Sequence, residues 1–403
     1  MKSCLFVNSG SSIFSKNDIC NRSLYNKFRS NKSSINMIQN HYFSTTNRRN
    51  LFGFISFNFL FFNNLLKSNA FLNEKKKWEL IAMPVDTVFF DLDFIKNSPG
   101  HGWLVGAKGT FLETIDNGKT WIPRTFANLD SDEEINYRFE NISFSDNDGW
   151  IIGKPAILLH TKDGGNTWLR VPISPKLPGE PILVTSLGID SAEMTTSSGA
   201  IYVTTNGGRN WKAQIKETID STLNRTISSG VSGASYFTGS IIGVARDLNG
   251  KYLAISSRGN FFLTWQPEQE FWIPRARDTS RRIQSMGFIQ NNIEKGIWMS
   301  TRGGGLSFTN ASIQIDSIKP FEFLASNIKT GGYGILDVVF RNENEIWASC
   351  GGGILYYSVD KGQTWNKEKN IDPIAGNLYK IKFINSELGF AFGSNGILLK
   401  YNS

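Results

Sequence analysis

The chain has 403 residues, 40% hydrophobic and 13% aromatic, with 38 Gly and 3 Cys; this excludes a disordered protein and leaves room for one large repeat domain or two ordinary ones. The formal charge of +8 is local: nine of the 43 Lys/Arg but one of the 35 Asp/Glu lie in residues 1–70, so residues 71–403 carry 34 of each sign. A long-range pull toward nucleic acid is therefore not expected.

In chain order, residues 1–46 are rich in Ser and Asn with scattered Lys and Arg, the composition of an organelle transit segment. Residues 47–70 read as a second, export-type signal. Arg48-Arg49 precede a weakly apolar run from Leu51 to Leu66, broken by Gly53, Asn58, Asn63 and Asn64, which ends at Ser68-Asn69-Ala70. The run is too short and polar for a comfortable membrane span, and the paired arginines resemble a twin-arginine signal. Two signals in series imply two membranes crossed; in a plastid the destination is the thylakoid lumen.

From residue 71 onward one pattern recurs. Gly102-Trp103-Leu104-Val105-Gly106 and Gly149-Trp150-Ile151-Ile152-Gly153 each precede a second short apolar run. An Asp-box turn follows: Ile115-Asp116-Asn117-Gly118-Lys119-Thr120-Trp121, Lys162-Asp163-Gly164-Gly165-Asn166-Thr167-Trp168, and later copies ending at Trp211 and Trp365. Weaker copies centre on Tyr252–Trp272, Gly296–Phe308 and Leu388–Tyr401. These pieces alternate, are rich in β-branched and aromatic residues, and are bounded by turn residues, so they read as strands. The period of about 47 residues fits a four-stranded propeller blade. The length from Phe71 gives seven blades, an all-β seven-bladed β-propeller over residues 71–403. The last blade lacks an outer strand, so Trp78-Glu79-Leu80 is predicted to supply it and close the ring. In each Asp box the carboxylate is expected to hold the turn and the Trp to fill the wedge between blades.

Catalytic constellations are sparse. His101 and His160 sit at repeat positions, no Cys/His metal spacing occurs, and no cofactor is indicated. Cys350 stands apart from Cys4 and Cys20, so no disulfide is expected beyond residue 70. The triplets Gly303-Gly304-Gly305 and Gly351-Gly352-Gly353 are matched turns; neither is followed by the Lys-Ser/Thr of a phosphate loop. Arginine is the exception. Arg258, Arg275, Arg277, Arg281, Arg282 and Arg302 crowd into 45 residues. Arg258 and Arg302 fall in second-to-third-strand turns of adjacent blades. The other four fall in the connection between those blades, which leaves by the same face. Arg225, in an earlier long connection, joins the set; Arg246 faces the other way. A guanidinium cluster on an otherwise neutral protein points to an acidic or extended polypeptide partner.

The repeats, the opening Trp78-Glu79 and three further segments carry a resemblance. These are Ser257-Arg258-Gly259-Asn260-Phe261-Phe262-Leu263-Thr264-Trp265, then Trp272-Ile273-Pro274-Arg275-Ala276-Arg277, then Ser280-Arg281-Arg282-Ile283-Gln284-Ser285-Met286-Gly287-Phe288. Together they resemble the photosystem II stability/assembly factors of chloroplasts and cyanobacteria. The resemblance implies a non-enzymatic lumenal propeller, monomeric and peripheral to the thylakoid membrane. It also implies binding of newly made D1, with D2 and the membrane insertase as further partners. Two other readings are weighed. A sialidase-like glycoside hydrolase needs an arginine triad, a Tyr nucleophile supported by Glu, and an acid Asp; no Arg-Ile-Pro segment opens the propeller. A carbohydrate-binding propeller needs exposed aromatic platforms.

Overall fold

The computed structural model describes residues 76–402, except 128, 130–134, 226–238, 310–314 and 316–319. The transit-type segment at 1–46 and the export-type segment at 47–70 lie outside the described residues.

Residues 76–402 form seven four-stranded antiparallel sheets. Six are built from consecutive strands. Blade 2, for example, runs Arg138–Ser145, Asp148–Lys154, Ile157–Thr161 and Leu169–Arg170. The seventh holds Leu378–Phe383, Gly389–Gly393 and Leu398–Tyr401, and its outer strand is Trp78–Leu80. Trp78 lies opposite Tyr401 and Leu80 opposite Leu399. The seven-bladed, end-to-start closure expected from the repeat is thus what the chain adopts. Trp78 is 1% exposed and meets Trp347, Phe383 and Tyr401 edge-on at 5.2–6.0 Å.

The Asp boxes work as sequence chemistry demands. Asp163 accepts from Thr167 N (2.9 Å) and Thr167 Oγ1 (2.7 Å), while Thr161 Oγ1 accepts from Gly165 N (3.0 Å). The dihedral φ of Gly165 is +94°, a conformation open to glycine. The turn aims Trp168 at the neighbouring blade, 5.8 Å from Phe111 and 6.5 Å from Trp103. Trp121 does the same against Phe390, and Trp211 against Trp150. Asp116 and Asp360 are held at pKa values of about 2. Slight burial opposes ionisation at Asp116, but the donors of Thr120, Thr114 and Lys119 outweigh it; Thr364 leads at Asp360.

The first strand of every blade is innermost, and each carries a register shift near its start. These strands line a central channel of about 730 Å³. One feature is not predicted by the repeat: a helix, Ile219–Arg225, between blades 3 and 4. Its Ile219 and Leu223 are buried in the core cluster shared with blade 4.

Candidate functional site

The arginine-rich region spans blade 4 (Ile241–Arg246, Tyr252–Ser256, Phe261–Trp265, Ile273–Ala276) and blade 5 (Ile283–Phe288, Ile297–Thr301, Gly305–Thr309, Phe323–Ala325). Three backbone segments meet at one end of these sheets. The blade 4 turn folds on Ser256, whose Oγ accepts from Asn260 N and Phe261 N, and Gly259 there has φ +66°. Ile283 N donates to Gly259 O (2.9 Å), which ties this turn to the start of blade 5. Arg302 N donates to Arg282 O (2.9 Å), which ties the blade 5 turn to the same connection. A Cβ placed on Gly303 would lie 3.4 Å from the Arg281 guanidinium.

The consequence is a shared face. Arg258, Arg281, Arg282 and Arg302 are all exposed on it. Among the described residues none of these four has a carboxylate partner within ion-pair distance. Arg277 is half-buried and is the organiser of the loop. Its guanidinium donates to the carbonyls of Gly259 (3.0 Å), Thr279 (2.9 Å) and Ser280 (3.2 Å) and to Asn260 Oδ1 (3.3 Å).

Two expected members fall differently. Arg275 is not in the connection: it sits inside the fourth strand of blade 4, paired with Phe262, and is 5% exposed. Its Nε donates to Thr264 Oγ1 (3.2 Å), its Nη2 to the Ile315 carbonyl, and its guanidinium lies 4.6 Å over the Phe321 ring. Strand alternation turns this side chain inward, so it braces blade 4 against blade 5 and leaves the exposed set. Arg225 ends the short helix, and its side chain lies outside the described residues. Arg246 closes the first strand of blade 4 at the opposite end, as expected, bound to Glu193 (2.6 Å).

Sequence reasoning missed that last cluster. Tyr252 donates to Glu193 Oε1 at 2.5 Å beside Arg246. A Tyr–Glu pair with an arginine is what a sialidase would use, yet Tyr252 is fully buried. Burial, then the adjacent Glu193 carboxylate, pushes its phenol well above its ordinary pKa. The pair joins blades 3 and 4 and presents no nucleophile to a substrate. A second cluster, Asp148, His160 and Asp190, has ligand-type atoms within 4.8 Å of one another. Protein donors already occupy it: Trp150 Nε1, Asp190 N and His160 Nε2 on Asp148, and Lys162 Nζ 2.5 Å from Asp190. His160 also stacks on Trp150 at 3.8 Å. Both are structural.

The family described as "Photosynthesis system II assembly factor YCF48" matches residues 71–402. The chain is 70% identical over 324 residues to the chloroplastic photosystem II stability/assembly factor HCF136 of Guillardia theta, covering 80% of this chain and 82% of that one. It is similar to the solved structure of YCF48 from Cyanidioschyzon merolae, with 55% identity, TM-score 0.77, and coverage of 81% of this chain and 98% of that one. It is also similar to a structure of YCF48 bound to D1 peptide, with 39% identity, TM-score 0.70, and coverage of 82% and 96%.

Proposed function

The chain belongs to the photosystem II stability/assembly factor family, and from that premise we propose that it promotes photosystem II assembly, without catalysis, by gripping newly made D1 on the arginine face of blades 4 and 5. One observation carries the assignment of the face. Backbone bonds between three loops present Arg258, Arg281, Arg282 and Arg302 together, exposed and with no internal carboxylate among the described residues. A guanidinium left in this state is a ready two-pronged donor for a carboxylate, and arginine is enriched where interfaces concentrate their binding energy. The D1 peptide bound by a YCF48 of the same fold supports D1 as the occupant.

The same reading places the protein in a plastid, on the lumenal side of the thylakoid. There it works as a monomer peripheral to the membrane, with D2 and the insertase as later partners. The chloroplastic relative supports the plastid, and so does the transit-type and export-type composition of residues 1–70.

The test reverses charge where the fold does not need it. A variant carrying R258E, R281E, R282E and R302E is expected to bind D1-derived peptides at least about tenfold more weakly. Its unfolding free energy should change by no more than about 0.5 kcal/mol per substitution, the range of ordinary surface changes. Arg277 is left intact because it holds the loop. Unchanged peptide affinity in a folded variant overturns the assignment.

A further inference from the structure

The inner strands of this ring are joined by a repeated side-chain device. After each register shift comes a channel-facing position: Asp91, Asn141, Leu183, Gly243, Ser285, Asp337 and Lys380 in blades 1 to 7. Where it is Asp or Asn, its oxygen accepts the backbone N–H one residue further on in the next blade. Asp91 takes Ile142 N (3.4 Å), Asn141 takes Val184 N (2.8 Å), and Asp337 takes Ile381 N (2.9 Å). Two residues on, a second stitch repeats the logic: Asp93 takes Phe144 N (2.8 Å) and Ser143 takes Ser186 N (3.0 Å).

Blade 4 has neither stitch. Its two positions are Gly243 and Ala245, and the N–H equivalent to those of Ile142, Val184 and Ile381 is that of Met286. The seam between blades 4 and 5 is held instead at its ends. Ile283 N bonds Gly259 O at one, and Leu248 N bonds Asn291 O (3.0 Å) at the other. Between them lies a niche of about 120 Å³ walled by Ile242, Val244, Leu253, Ile255 and Met286. Gln284 and Ser285 form its polar edge, and Gln284 lies two residues from Arg282. Ile242 is 55% exposed, so the niche opens to solvent. The space is that of an absent side chain: a Cβ on Gly243 would meet only Ile255 Cδ1, at 3.4 Å.

We propose that this open seam receives one aspartate side chain from the bound polypeptide, whose carboxylate takes the Met286 N–H as Asp337 takes that of Ile381. The precedent for the occupant comes from blades 1, 2 and 6, which place an Asp or Asn oxygen at this point of the repeat, whereas blades 3, 5 and 7 have Leu183, Ser285 and Lys380 there. Charge complementarity agrees: the exposed arginines on the same two blades suit an acidic segment that threads one residue inward. The inference rests on the arginine-face reading and adds to it a single-residue specificity.

The experiment uses the intact protein and peptides tiled over D1. The tightest binder is re-made with each Asp changed in turn to Ala and to Asn. One Asp→Ala change is expected to weaken binding about tenfold, with its Asn counterpart losing less, because Asn141 fills the equivalent place with an amide oxygen. Gly243→Asp supplies the stitch internally. It should lower affinity for the unaltered peptide about tenfold and make that peptide and its critical Asp→Ala form bind alike. If no Asp→Ala change alters affinity beyond about threefold, or if folded Gly243→Asp binds as the parent does, the inference falls. The peptide series decides alone if Gly243→Asp does not fold. An R281E/R282E variant separates the two readings. Its loss of binding alongside an unaffected Gly243→Asp leaves the arginine face standing and removes the aspartate subsite. Failure of every peptide to bind removes both.

Discussion

At the scale of single residues, the same side chain does opposite work depending on whether it sits in a strand or in a loop. Arg275 and Arg281 are six positions apart. The first points into the blade, where a hydroxyl, a carbonyl and an aromatic ring satisfy it; the second points to water. Removing a buried guanidinium strands its acceptors and leaves a void, whereas removing an exposed one costs the fold little. Arg275→Ala is therefore expected to lose about 2–4 kcal/mol in urea unfolding and Arg281→Ala less than about 0.5 kcal/mol. Peptide affinity should move the other way, falling for Arg281→Ala alone. Equal stability losses would contradict this division of roles. Arg277 stands between them: exposed enough to touch a partner, yet its donors are spent on three carbonyls that shape the loop.

At the scale of elements, a blade is a weak unit made strong by its neighbours. Outer strands are as short as two residues, for example Ile122–Pro123 and Leu169–Arg170. A strand that short contributes few ladder bonds, so the wedge side chains between blades carry much of the cohesion. Ring closure concentrates this dependence on Trp78–Leu80, where three backbone partners and three aromatic neighbours join the start of the propeller to its end. Trp78→Ala should cost about 3–5 kcal/mol, read as a lower denaturant midpoint with one cooperative transition. A midpoint like that of the parent would mean the closing strand is dispensable.

At the scale of the whole molecule, the channel is asymmetric. Blades 7 and 1 are tied by charge: Lys380 Nζ lies 2.7 Å from Asp91, and Lys382 lies 3.1 Å from Asp93. Burial opposes the Asp91 carboxylate, but Lys380 and Lys382 hold its pKa below the ordinary value. Asp337, between blades 6 and 7, differs. Burial raises its pKa from 3.8 to about 6, only partly offset by Ile381 N, Lys380 and Val338 N, and Asp91 adds repulsion. The folded state therefore binds this proton more tightly than the unfolded chain does. The stabilisation is complete below about pH 4 and is lost as pH rises through 6. Asp337→Asn should gain on the parent protein between pH 4 and pH 7, by on the order of 1–2 kcal/mol in paired urea melts. A stability difference that is flat across that range would refute the account. The opposite side of the ring, at blades 4 and 5, lacks such stitches and carries the exposed arginines.

Local and periodic features were decided by the sequence alone. A 47-residue recurrence of Gly-Trp pairs and Asp boxes dictates blade number, because each repeat is one sheet that cannot bury its faces unaided. Trp78-Glu79-Leu80 reads as a strand without a blade for the same reason. The shared face of Arg258, Arg281, Arg282 and Arg302 was also legible, since antiparallel connectivity sends second-to-third turns and blade connections to one side. Only the tertiary structure decided which arginines are free. Arg275 is claimed by Ile315 and Phe321, some 40 residues away and in the loop of the next blade. Only the tertiary structure opened the seam at Gly243, because the register shifts that align it with Asp91, Asn141 and Asp337 arise from strand pairing, which periodicity does not encode.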